Sequence, residues 1–218
     1  MEHGHKKREL IGQLYRAGTT YNTEAIEVYD HDWPSLAEGV AIPHGIYDLA
    51  QNRGYIQIGT SRDTTEFACD AIYFWWRDHG SKTYREATSL LFLCDGGGSN
   101  GARYHIFKQD LQALANDIGI EIRIAHYPPY TSKYNPIEHR LFPHVSRACQ
   151  GAIFDSIETV QALIAKTSTN TGLTVATSII DAVYETGRKA TDDFIENMTI
   201  FFDDHLPKWN YVARPQTT

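Results

Sequence analysis

The sequence predicts an α/β fold in which helices flank a sheet with both antiparallel and parallel strands. Three observations carry that reading. Residues 45–50 (GIYDLA) and 54–60 (GYIQIGT) are short β-type runs separated by Gln51-Asn52-Arg53-Gly54, a hairpin signal. Residues 89–94 (SLLFLC) form an apolar run that suits a strand buried on both faces. Helical spacing over 102–118 and alternation over 120–126 (IEIRIAH) follow it, an order that builds parallel strands beside the hairpin.

The elements follow in turn. Residues 9–15 read as a short strand, and 21–38, with Asp30-His31-Asp32-Trp33-Pro34, as a loop. Asp63 fits a helix N-cap with Glu66 three residues on, and Phe67, Ala71, Phe74 and Trp75 then fall on one face of a helix over 67–78. In the helix over 102–118, Ile106, Leu111, Leu114 and Ile118 share a face. The strand over 120–126 runs into a turn-rich stretch ending Asn135-Pro136, which opens a helix carrying Glu138. Beyond 150, a helix over 156–166, a β-like run over 174–180 and an amphipathic tail suggest a small α/β appendage. The organisation expected is therefore a core over 1–150 and an appendage over 151–218.

Composition narrows the class. At 42% hydrophobic and 22% charged residues, the chain is neither disordered nor fibrous. No apolar run reaches the roughly 18 residues of a membrane span, so no membrane partner is expected. The basic residues Lys6, Lys7 and Arg8 near the start are not followed by the apolar stretch of a signal peptide. Three scattered cysteines (Cys69, Cys94, Cys149) form no metal or disulfide pattern and suit a reducing cytoplasm. A net charge of −7 argues against a strong stand-alone DNA binder, not against a metal-carboxylate site.

Asp95 stands at the carboxyl end of the 89–94 run, where open α/β sheets place ligands, and three glycines after it permit close backbone approach. A plain turn is the competing reading. Glu138 occupies the third helical position after Asn135, where a capping role competes with a ligand role. The strand over 120–126, laid beside that of Asp95, would bring the two carboxylates to one edge of the sheet. Oxygen donors of this kind suit Mg²⁺ or Mn²⁺, and paired hard cations serve phosphodiester cleavage and transfer. His3-x-His5 reads as a solvated terminus rather than a site.

The runs Cys94-Asp95-Gly96-Gly97-Gly98-Ser99-Asn100-Gly101 and His126-Tyr127-Pro128-Pro129-Tyr130-Thr131-Ser132-Lys133-Tyr134-Asn135-Pro136-Ile137-Glu138-His139-Arg140-Leu141-Phe142 resemble the Rhodopirellula-type insertion-sequence DDE transposases of bacteria. Asp30-His31-Asp32-Trp33-Pro34, the run from Ile42 to Asp48 and Tyr184-Glu185-Thr186-Gly187 are similar to the same family. The resemblance spans nearly the whole chain. It implies an RNase H-like mixed sheet and a three-carboxylate site using Mg²⁺ or Mn²⁺ for DNA strand cleavage and joining. Asp95 matches the second acid and Glu138 the third. Insertion-sequence ends and target DNA are the implied partners, with a homo-oligomer as a further expectation. Lys133 and Arg140, flanking Glu138, are the candidate DNA contacts, ahead of Lys6, Lys7 and Arg8. Tyr130 and Tyr134 are either stacking platforms for bases or residues packed under their loops.

Two departures stand out. Lys6-Lys7-Arg8-Glu9-Leu10-Ile11-Gly12 matches the family's stretch after the first acid, but Gly4 occupies the place of the aspartate. The opening strand is expected to be incomplete and the chain N-terminally truncated, with Glu2, Asp30 and Asp32 as substitutes that spacing does not separate. Pro143 falls inside the glutamate helix, where it costs about 3 kcal/mol or forces a kink. Two readings follow: an active transposase core, or a catalytically inactive remnant with at most weak DNA or protein binding.

Overall fold

The computed structural model describes residues 1–30, 32–95, 104–128 and 130–216, with His5 and Ser132 described by their backbone alone. The chain divides into two compact units: Met1–Gly4, Arg62–Pro136 and Tyr184–Thr218 form one, and His5–Ser61 with Ile137–Val183 the other. Both contain sheets that mix parallel and antiparallel pairing, flanked by helices. The expected fold class is present.

In the first unit the strands run in the order β1 (Glu2–His5), β5 (Ser89–Cys94), β6 (Glu121–His126), β9 (Asn210–Ala213) and β8 (Phe201–Phe202). β1, β5 and β6 are parallel, and β9 and β8 add antiparallel strands. The opening strand spans four residues and pairs with β5 at two positions, Glu2↔Leu93 and His3↔Cys94. Even so, it is no solvated terminus, because His3 is fully buried. Strand pairing carries it inside: the Leu93 N–H donates to the Met1 carbonyl at 2.9 Å.

Two helices, α1 (Thr65–Trp75) and α3 (His105–Ile118), supply the rest of this core. The cap of α1 is Thr64 rather than Asp63, because it is the Thr64 hydroxyl that accepts from the Phe67 N–H. Phe67, Ala71 and Trp75 are buried, with Trp75 edge-on to Phe92 at 5.8 Å, whereas Phe74 is only half-buried. After α1 the chain passes through a π-helical turn (Trp76–Gly80) into the short α2 (Ser81–Thr83). The stripe of α3 is Phe107, Leu111, Leu114 and Ala115, displaced from the expected Ile106 and Ile118, which are half-buried. Nor is β5 buried on both faces. Leu90, Phe92 and Cys94 face the core, while Ser89 and Leu91 are exposed and Leu93 is half-buried. An apolar run cannot distinguish these cases, since leucine is tolerated on a half-covered face. The three cysteines are free and buried. Among the described residues no helix is long and apolar enough to cross a membrane.

The second unit orders its strands β2 (Glu9–Ile11), β3 (Gly39–Asp48), β4 (Arg53–Gly59) and β7 (Thr174–Ile180), with β7 parallel to β4 and the others antiparallel. The expected hairpin is β3–β4, closing at Asp48↔Arg53. Its turn is held by Asp48, whose Oδ1 accepts from the N–H groups of Ala50 and Gln51. Asn52 then adopts a left-handed φ of 50°, which asparagine tolerates well. Helices α4 (Pro136–Arg140), α5 (Phe142–Ala148) and α6 (Ile157–Ala165) complete the unit. Tyr47, Ile56, Ile58, Ile137, Leu141, Phe142, Phe154 and Val160 form its core. Residues beyond 150 thus serve both units: α6 and β7 here, α7 (Asp192–Glu196), β8 and β9 in the first.

Gly54 makes close packing possible. A Cβ there would lie 2.4 Å from Leu141 Cδ1. Leu141 is itself fully buried, so Leu141→Ala is expected to destabilise the chain by about 2–5 kcal/mol in urea unfolding. Gly54→Ala alone should cost about 1–3 kcal/mol by overpacking. The double substitution should cost clearly less than the sum, because the new methyl enters the space vacated by Leu141. Strict additivity would show that the two residues do not share that space.

Candidate active-site carboxylates

Asp95 ends β5 in the first unit, and the sheet register defines its neighbours. β5 and β6 stay in step to their ends, at Cys94↔His126, and the Tyr127 N–H then donates to the Cys94 carbonyl at 2.8 Å. The chain leading to Glu138 therefore leaves the sheet at the edge where Asp95 stands. His126 braces that edge. Its Nδ1 lies 3.1 Å from the Asp95 carbonyl oxygen and its Nε2 2.8 Å from the Tyr211 hydroxyl. With Nδ1 protonated, the ring donates to Asp95 and accepts from Tyr211, a neutral imidazole. Burial pushes its pKa below the usual histidine value; the Asp95 hydrogen bond opposes this and the nearby Lys108 adds to it.

On the other side of β5 lies β1. Its register is Glu2↔Leu93 and His3↔Cys94; Gly4 follows on β1, and Asp95 follows the end of β5. Gly4 has no carboxylate to offer. Asp30 and Asp32 belong to an exposed loop of the other unit, where the Asp30 carboxylate accepts from the Asp32 N–H. Glu2 is different. It lies on the same strand and, two residues before Gly4, on the same face. It is fully buried, its Oε1 accepts from the Tyr127 hydroxyl at 3.0 Å, and its Oε2 is buried without a hydrogen-bond partner. Sequence reasoning placed Glu2 among three equivalent acids; only strand register separates it from the others.

Glu138 sits half-buried on α4 in the second unit. Pro136 opens that helix, and Ile137 within it and Leu141 just after it are both fully buried. The helix ends at Arg140, Leu141 takes a non-helical conformation, and α5 restarts at Phe142 with Pro143 in its first turn. The proline is accommodated by a break, where its missing N–H costs nothing. Lys133 and Arg140 are exposed, and Lys133 Nζ lies 4.9 Å from the centre of the Tyr134 ring. Tyr130 and Tyr134, at 100% and 64% exposure, do not pack under their loops. Lys6 is engaged with Glu9, as is Arg16. Burial raises the Glu9 carboxyl, but these two cations outweigh it and leave the pKa below the ordinary value. Residues 96–100, whose glycines were expected to approach Asp95, lie outside the described residues. Among the described residues no group of three or more metal-ligating side chains converges.

Burial lifts the Glu2 pKa from 4.5 to about 7, opposed by the Tyr127 hydrogen bond and the N-terminal charge. A carboxyl with a raised folded-state pKa adds most stability below its unfolded value, and that contribution is lost as pH rises towards 7. In metal-free buffer, Glu2→Gln should therefore stabilise the chain at pH 8 by up to about 3 kcal/mol and change little near pH 4. Urea unfolding at the two pH values checks this; equal effects at both would show that the carboxyl is not ionised against a burial penalty.

Comparison with known proteins follows this geometry. No curated protein matches the chain. A chain of a pre-cleavage Mos1 transpososome, seen in a crystal structure, is similar with a TM-score of 0.48 and 13% identity, over 74% of this chain and 45% of that one. This chain thus spans less than half of that one's length. The model of the Rhodopirellula transposase DDE domain matches residues 4–215, and the chain belongs to that family.

Proposed function

We propose that this DDE domain cleaves and joins DNA strands at insertion-sequence ends with the help of Mg²⁺ or Mn²⁺, Asp95 and Glu138 acting as metal ligands. The observation that supports the reading best is Asp95 at the carboxyl end of β5, beside β1, in a chain that the family model matches from residue 4 to 215. Carboxylate oxygens are the donors hard divalent cations take. Bound there, such cations would lower the pKa of an attacking water and stabilise the leaving oxygen. The chain's own contribution is positional. His126 and the β5–β6 register brace the Asp95 backbone, and Ile137 and Leu141 anchor the helix of Glu138. Lys133 and Arg140, both exposed, would meet backbone phosphates near Glu138.

A second reading is favoured by one specific observation. Gly4 occupies the place where the family resemblance expects the first carboxylate, and on this reading the chain is a strongly impaired catalyst that keeps the fold and two of three acids. A nicking assay on insertion-end DNA with Mn²⁺ separates the readings. If Gly4 is the defect, Gly4→Asp should raise nicking by about a hundredfold or more, the scale of restoring one electrostatic stabiliser. Asp95→Asn in that background should abolish it. Equal activity of the Gly4→Asp variant and the unsubstituted chain would remove the impaired reading if both cut, and the strand-cleavage proposal if neither does.

Calorimetric titration with Mn²⁺ gives an independent check. Saturable binding lost in both Asp95→Asn and Glu138→Gln is the expected result; binding that survives both substitutions would exclude these carboxylates as the ligands.

A further inference from the structure

The Asp95 main chain is held on both sides, and the two holds differ in origin. Before it, strand pairing fixes the peptide group: the Tyr127 N–H donates to the Cys94 carbonyl at 2.8 Å. After it, a side chain takes over, and His126 Nδ1 meets the Asp95 carbonyl oxygen at 3.1 Å. That oxygen can only accept, so the ring proton sits on Nδ1. Nε2 of the neutral ring is then an acceptor, and the Tyr211 hydroxyl, 2.8 Å away, is its donor.

Tyr211 is in turn placed by β9. That strand pairs with β6 at Ile124↔Tyr211, and the His126 N–H donates to the Trp209 carbonyl at 2.8 Å. Tyr211 and His126 are 1% and 6% exposed, with ring centroids 5.5 Å apart, and Phe202 packs against the Tyr211 ring at 6.2 Å. Water has little access to this pair, so without the phenol Nε2 would be left a buried acceptor with no donor. The hydroxyl thus favours one tautomer and one ring orientation.

We propose that Tyr211 is a positioning residue for Asp95: its hydroxyl locks the His126 ring in the state that holds the Asp95 carbonyl, and so aims the Asp95 carboxylate at its divalent cation. With both flanking peptide groups fixed, the Cα–Cβ bond of Asp95 has a single direction. Hydrogen-bond partners standing behind a metal ligand commonly set its affinity. The inference rests on the reading of Asp95 as a metal ligand, and it makes β9 part of the site's support. A tyrosine–histidine pair with a merely structural role would lose stability when cut but leave the cation unaffected.

The test combines Mn²⁺ calorimetry with nitrogen NMR of the histidine rings, on the full chain. Tyr211→Phe, which keeps the ring and removes the hydroxyl, should weaken Mn²⁺ binding by about tenfold and abolish the single Nδ1-protonated signature of His126. His126→Asn offers an N–H near the place of Nδ1, whereas His126→Gln offers one only near that of Nε2. The first should bind Mn²⁺ at least about fivefold more tightly than the second. Tyr184→Phe cuts another short hydroxyl bond of the same unit, to Asp70 at 2.6 Å, and should change Mn²⁺ affinity by less than about twofold. Unchanged Mn²⁺ binding in Tyr211→Phe, or a proton found on Nε2 in the unsubstituted chain, overturns the role of Tyr211 while the metal reading stands. Equal affinities of His126→Asn and His126→Gln do the same. Saturable Mn²⁺ binding that is absent, or that survives Asp95→Asn, overturns both. Circular dichroism of each variant confirms that it folds; should Tyr211→Phe not fold, the two His126 variants decide.

Discussion

The parallel pairing of β5 with its two neighbours is the constraint on which the candidate site depends. Hydrogen bonding along β6 runs to Cys94↔His126 and is continued by Tyr127, so the end of β5 has no freedom to slide. A slip of one residue would exchange the two faces of the strand and carry Asp95 to the side now occupied by Cys94. The side chains that hold this register are ordinary core groups: Phe92 against Trp75, Ile122 and Ile124 below the helices, and Tyr211 closing on His126. Asp95 is thus positioned by ordinary core packing.

The same register gives Glu2 its unusual state. A glutamate at this depth ionises only against a desolvation penalty, which the Tyr127 hydroxyl and the N-terminal charge offset in part. The pKa of about 7 is what remains after these opposing effects. An apolar residue would serve the strand better on stability grounds alone. Glu2 therefore holds a buried carboxyl on β1, the strand paired with β5, at a cost in stability.

The second unit works by different means. It positions Glu138 through a short helix that is interrupted before it can run on. Pro143 cannot continue α4, and the break at Leu141 lets that side chain reach down to Gly54 while Phe142 approaches Gly45. A straight helix would place these residues on a continuous stripe, and the glycines of the hairpin would have nothing to receive. The Pro136–Pro143 spacing, which reads locally as a defect, is compensated by the small residues of β3 and β4.

Several features were determined by the sequence alone. The hairpin was legible as two β-type runs about Gln51-Asn52-Arg53-Gly54, although its turn falls at 49–52 and is held by Asp48. The helix of Glu138 was legible because Asn135-Pro136 is a start signal. Family membership was legible in the long motifs around Asp95 and Glu138. Other features were decided only by the tertiary structure, since they depend on what lies across from a residue. The half-exposed β5, the shift of the α3 stripe from Ile106 to Phe107 and the burial of His3 all follow from which strand or helix covers which face. Likewise Glu2, Asp30 and Asp32 are equivalent acids in a one-dimensional chain. Strand pairing, a contact between residues 90 apart, buries Glu2 on the strand beside β5 and leaves Asp30 and Asp32 in an exposed loop.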